Sequence, residues 1–185
     1  MREGDVVGAL LKFAAGVDWI NERLGRIATW LVLLSCLVSA GNASIRYLID
    51  NSSNAWLELQ WYMFAYIVML GTSYTLKVNE HVRVDLIYGQ LSGRGRAWVD
   101  LLGTIFFLLP ATALFAYLAW PQFYDSFIHN ELSSNAGGLI RWPAKLALPL
   151  GYFFLTLQAL SEIIKRIGFL TGQFNMDTTY ERPLQ

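Results

Sequence analysis

The chain has 185 residues, of which 55% are hydrophobic, 15% aromatic and only 15% charged, with a formal net charge of zero. Soluble domains carry about 25% charged residues, so the composition excludes an ordinary water-soluble domain. The absent net charge removes the electrostatic case for nucleic acid. One cysteine, Cys36, allows neither an internal disulfide nor a cysteine metal set, and inside its apolar run it reads as a small packing residue.

Residues 6–24 open the chain as an amphipathic helix. Val6, Val7, Leu10, Leu11, Phe13, Ala14, Val17, Ile20 and Leu24 recur mostly at steps of three and four, with Asp5, Lys12, Asp18, Asn21, Glu22 and Arg23 between them. Such a helix is expected to lie in the bilayer interface, or on a partner, as a unit over residues 1–26. A first span follows at about residues 27–48, uncharged between Arg26 and Arg46 and long enough for the roughly 20 residues a bilayer core demands. Arg23, Arg26 and the Val38-Ser39-Ala40 site superficially suggest a cleaved signal. The apolar run continues to Ile49, however, and the preceding segment is long and amphipathic, which argues against cleavage.

Asp50-Asn51-Ser52-Ser53-Asn54 is a polar turn before a second span at about 57–76, entered through Trp56, Trp61 and Tyr62 as an aromatic belt and left through the small residues Gly71, Thr72 and Ser73. Lys77 to Arg96 is a polar connection. A third span at about 97–120 carries Pro110 near its middle, where a missing N–H should kink it, and ends at Trp120-Pro121. Gln122 to Trp142 is a second polar connection, with Asn135-Ala136-Gly137-Gly138 as its expected most flexible part. A fourth span at about 143–164 starts on Pro143, a favourable first-turn residue, and closes with Glu162, Lys165 and Arg166. Residues 27–167 thus form a four-helix transmembrane domain and 168–185 a polar tail. The fold class is an all-α integral membrane protein with four transmembrane helices and an N-terminal interfacial helix.

Basic residues divide unevenly between the two sides. Arg2, Lys12, Arg23, Arg26, Lys77, Arg83, Arg94, Arg96, Lys165, Arg166 and Arg182 fall on the side of the termini, and only Arg46, Arg141 and Lys145 on the other. The positive-inside rule places both termini in the cytoplasm, which an even number of spans requires.

Catalytic patterns are missing: there is no phosphate loop, Cys-x-x-Cys pair or His-Glu-x-x-His, and His81 and His129 fall in opposite connections. Catalysis, a cofactor and a metal are therefore not expected. Glu58, Asp100, Lys145 and Glu162 lie within a turn or two of an interface. They read as snorkelling or locally paired groups, or as contacts to another protein, because charges buried in a membrane are costly.

The order of residues around the second span is informative. Glu58-Leu59-Gln60-Trp61-Tyr62-Met63-Phe64 is followed by Gly71, Tyr74, Lys77 and His81-Val82-Arg83-Val84-Asp85. This pattern resembles the small membrane subunit of tripartite ATP-independent periplasmic (TRAP) transporters, and Asn135 to Lys145 resembles one branch of that family. The likeness covers about residues 24–167. Many members carry two adjacent acids where this chain has Leu57 and Glu58, so a paired-acid role does not carry over.

The resemblance implies a non-enzymatic subunit of the bacterial inner membrane. It would scaffold a large multi-span permease that holds the solute and sodium sites, and would meet a soluble periplasmic solute-binding protein transiently and lipids permanently. Glu58, Gln60, Trp61, Lys77, His81, Arg83, Asp85, Arg141 and Trp142 are the candidate subunit-interface or structural residues. Two other classes compete. A membrane anchor of a respiratory or other enzyme complex predicts intramembrane haem histidines, and a small oligomeric channel predicts a polar stripe along one span.

Overall fold

A computed structural model describes residues 3–51, 53–81 and 88–176. Among the described residues, four helices run up, down, up and down: α1 (Glu3–Ile49), α2 (Asn54–Val78), α3 (Gly93–Ile128) and α4 (Trp142–Leu170). No strand forms among the described residues; an isolated bridge joins Leu132 and Ile140. Three helices, α1, α3 and α4, are long and apolar enough to cross a membrane. α2 has 25 residues, rich in aromatic and hydroxyl-bearing side chains, and is not among these three.

The helix ends follow local chemistry. Ser53 accepts the Ala55 N–H at 3.2 Å as N-cap of α2, and Ser92 does the same for Gly95 at the start of α3. Asn79 closes α2 in the left-handed region (φ 62°), its N–H reaching Leu76 O. Asp50 (φ 54°) ends α1 at the polar turn.

The helices exceed the apolar runs that announce them. The segment expected as a separate interfacial helix and the first span form one continuous 47-residue helix, roughly 70 Å long. α3 passes through Pro121 and stops only at Ile128, and α4 continues to Leu170. Within α3 the ladder changes to a π-turn over Thr104–Leu108, where the Leu109 N–H donates to Thr104 O. That register change accommodates Pro110, the expected site of a kink.

α4 is the central element and touches the other three helices. It presents small residues to them: Ala147, Gly151, Ala159 and Ser161 are all buried. A Cβ on Gly151 would stand 2.5 Å from Met69 Cβ, so the absent side chain sets the approach of α2 to α4. The apolar core of Leu76, Leu155 and Ala159 is flanked by Leu108, Leu109 and Tyr152. α1 packs through Ala14, Val17, Asn21, Gly25, Ala28 and Ser35, at steps of three, four and seven. Its large apolar residues point outward instead, with Leu10, Phe13, Ile20 and Trp30 all exposed.

Candidate functional site

Two polar clusters occupy opposite ends of the bundle. The first is built on Glu58, one turn into α2 and 4% exposed. After α3 the chain folds back on itself: Ser133 N–H donates to Leu139 O at 3.0 Å and Arg141 N–H to Glu131 O at 2.8 Å, on either side of the Leu132–Ile140 bridge. Gly137 (φ 71°) and a 3.0 Å bond from Gly138 N–H to Asn135 O tighten the tip. That shape aims three donors at one carboxylate. Glu58 accepts the Ser133 hydroxyl, Asn135 Nδ2 at 2.8 Å and the Leu139 N–H at 2.6 Å. Gly138 must lack a side chain, because a Cβ there would lie 2.8 Å from Glu58 Oε1. Asn54 Nδ2 donates to Ala136 O (2.9 Å), Tyr62 OH to Ile140 O (3.0 Å) and Tyr66 OH to Pro143 O (2.8 Å), stitching α2 to the loop and the start of α4 along about three turns. The stretch expected to be the most flexible is therefore densely bonded.

Beside this latch, Glu131 pairs with Lys145 and lies 3.6 Å from Arg141. The Lys145 hydrogen bond, helped by the charge of Arg141, holds its carboxyl below the usual range. Trp142 stacks edge-on against Phe127 at 5.4 Å and Phe123 at 6.4 Å between ring centres.

The second cluster joins α1, α3 and α4. Asn21 Nδ2 donates to Gln158 Oε1 at 2.7 Å, with both side chains fully buried. Gln158 Nε2 in turn donates to Asp18 Oδ1 (2.8 Å) and Glu162 Oε1 (3.0 Å). Ser161 donates to Asp18 at 3.0 Å, and Lys165 pairs with Asp18 at 3.0 Å and with Glu162. Arg166 pairs with Glu162 and reaches Asp100 at 3.2 Å; Asp100 also accepts Tyr88 OH at 2.8 Å. Further along α1, Glu22 accepts Arg26 (2.9 Å) and Lys77 (3.0 Å), and these hydrogen bonds, Arg26 first, lower its pKa. Opposite charges on three helices compensate one another, as burial requires.

The chain also matches, over residues 35–168, a family model described as "Tripartite ATP-independent periplasmic transporters, DctQ component". The protein belongs to the DctQ family. No curated protein and no solved structure matches it. The family makes this chain a small subunit of a TRAP transporter, a membrane component of a tripartite system, and nothing supports the alternative of an enzyme anchor.

In this DctQ component the residues singled out from sequence separate. Glu58, Arg141 and Trp142 meet at the loop latch. Gln60 lines a cleft between α1 and α2, and Trp61 stands 64% exposed on the outer face of α2. Lys77 and His81 lie at the other end of α2, Lys77 paired with Glu22 and 5.9 Å from the Tyr74 ring centre. Arg83 and Asp85 lie outside the described residues. Among the described residues no group of His, Cys, Asp and Glu is placed to hold a metal.

Sequence reasoning passed over Asp18, Asn21, Gln158 and Ser161. One signal was available. Gln158 is an amide set among Phe154, Leu155, Leu157, Ala159 and Leu160, and such a residue in an apolar run needs a polar partner.

Proposed function

We propose that this DctQ component is the scaffold-side subunit of a sodium-driven importer of an organic acid or similar small solute. The family match over residues 35–168 carries the reading. The large permease subunit moves solute, a periplasmic binding protein delivers it transiently, and this chain holds the fixed part of the permease in the inner membrane. All four helices cross the bilayer, at about residues 27–48, 57–76, 97–120 and 143–164, with both termini cytoplasmic. The basic-residue bias supports that orientation: eleven Lys and Arg fall on the side of the termini, Lys77, Lys165 and Arg166 among them, and only Arg46, Arg141 and Lys145 on the other.

The exposed apolar faces of α1 and α3 suit contact with lipid or a partner helix, and α2, with Trp61 outward, suits the permease. Lipid is as apolar as leucine, so association rests on packing and interfacial side chains. Trp61 is the direct contact, and Gln60 supports it from the cleft between α1 and α2. Glu58, Arg141 and Trp142 act by fixing the loop against which the binding protein docks, since the Glu58 carboxylate is spent within the chain. Lys77 and His81, with Arg83 and Asp85, organise the cytoplasmic end.

Liposomes carrying the permease and binding protein, with and without this chain, test the reading. Sodium-driven uptake should collapse in its absence, and the purified chain alone should bind no solute. Full uptake without it overturns the scaffold role. Cysteines in the Asp50–Asn54 turn and near Asn135 should label from the periplasm, and labelling of Gly93→Cys from that side overturns the topology.

A further inference from the structure

We propose that the cleft between α1 and α2, beside the turn joining them, binds the headgroup of a zwitterionic phospholipid, with Arg46 on its phosphate and Asp50 and Asn42 on its ammonium. The proposal rests on the reading of α1 and α2 as membrane spans.

The two helices meet closely at one end and part at the other. A Cβ on Gly25 would stand 2.6 Å from Tyr74 Cγ, a contact as tight as backbone packing permits. Towards the turn, no α1 residue from Cys36 to Ile49 is buried. There the helices flank an open cleft of about 640 Å3, whose polar lining includes Ser39, Asn42, Arg46, Asp50 and Gln60.

The lining is not self-satisfied. Arg46 and Asp50 stand four residues apart, yet neither is in an ion pair among the described residues. Asp50 has left the helix at φ 54°, out of the geometry in which such neighbours meet. Asn42 Oδ1 is buried and accepts no hydrogen bond. The cleft thus offers a guanidinium fork, a separate carboxylate and an orphan acceptor at the end of an apolar run, at the level where a bilayer's headgroups lie.

A phosphate bearing an ammonium two carbons away supplies what each lacks. Guanidinium forks bind phosphate oxygens in pairs. An ammonium has three protons, enough for Asp50 and Asn42 Oδ1 together. Phe64 and Val68 follow Gln60 at steps of four along α2 and are both exposed, which gives acyl chains an apolar track out of the cleft.

The test uses the full chain, delipidated in detergent and titrated with phosphatidylethanolamine under native mass spectrometry, so the permease is not needed. One equivalent should remain bound, and Arg46→Gln should weaken retention roughly tenfold, the loss of one charged hydrogen-bonding partner. Asp50→Asn should leave phosphate binding in place but abolish the preference for phosphatidylethanolamine over phosphatidylglycerol. Phosphoethanolamine without chains should compete only weakly, and diacylglycerol should not be retained. Unchanged retention in Arg46→Gln overturns the proposal, as does equal retention of diacylglycerol. Phosphoethanolamine binding as tightly as the intact lipid also overturns it, by making the ligand a soluble phosphate. Arg46→Gln should still co-purify with the large subunit, so loss of lipid and loss of the scaffold role are read separately.

Discussion

The two ends of the bundle solve the same problem, a polar group placed among apolar helices, in different ways. At the loop end one carboxylate, Glu58, gathers two side-chain donors and a backbone N–H from a loop more than 70 residues away. At the other end, Asp18, Glu162 and Asp100 face Lys165 and Arg166 across three helices, with Asn21 and Gln158 between them. The first arrangement shapes a loop, and the second fixes how helices lie against one another. Damage should therefore stay local at the Glu58 end and spread at the Arg166 end.

Arg166→Ala should break that comparison most severely. It leaves Glu162 and Asp100 buried with a charge removed, and losing one partner of a buried pair costs about 3–5 kcal/mol. Unfolding in mixed detergent should show the whole bundle destabilised. A loss typical of a surface pair, about 1 kcal/mol or less, would mean the cluster is open to water.

Glu58→Gln should cost less, about 1–3 kcal/mol, because a neutral amide oxygen still accepts some of the donors. Its mark is local: hydrogen exchange should accelerate at Leu139 and its neighbours while α1 and α4 keep their protection. Equal acceleration across all four helices would erase the distinction between the ends.

Gly138→Ala should reproduce that exchange pattern with the carboxylate intact, because the new methyl meets Glu58 Oε1. Exchange identical to wild type would show that the loop tip has room to move aside.

Acidification should give the smallest effect. The folded pKa of Glu131 is depressed, so its contribution is complete above its ordinary value of 4.5 and disappears as pH falls through the lower folded value. Loop exchange should rise below about pH 4.5, and Glu131→Gln should remove this acid-dependent step.

Sequence alone displayed four apolar runs, the polar turn at Asp50 and the motif order around Glu58, because each is a local pattern. It hid what depends on distant partners. Asp18 and Asn21 look like a solvated face beside Glu22 and Arg23, and periodicity reveals which residues share a face but not what that face meets. Here it meets Gln158, 137 residues away from Asn21. The N-terminal segment reads as separate from the first span because its amphipathic stripe suits the interface, yet Gly25, between Leu24 and Ile27, does not break the helix and instead lets Tyr74 approach. Pro121 suggested an end to the third span by its own chemistry, whereas α3 runs past it to Ile128. Asn135-Ala136-Gly137-Gly138 reads as flexible because glycines mark conformational freedom, and here that freedom allows a tight approach to Glu58.

The π-turn at Thr104–Leu108 sets the angular phase of α3. A π-turn holds one residue more than the α-helix it interrupts, and each residue turns the helix by about 100°. Asp100 before it faces Arg166, and Phe115 after it stacks on Tyr152 at 5.3 Å between ring centres. Both partners lie on α4, so α3 keeps two contact faces in line by taking up the extra residue in the wide turn. Winding the same residues as a regular α-helix would rotate one face by about 100° away from α4, whereas deleting one residue there would restore a regular ladder with both faces still in phase. The turn thus absorbs a residue without spending any rotation.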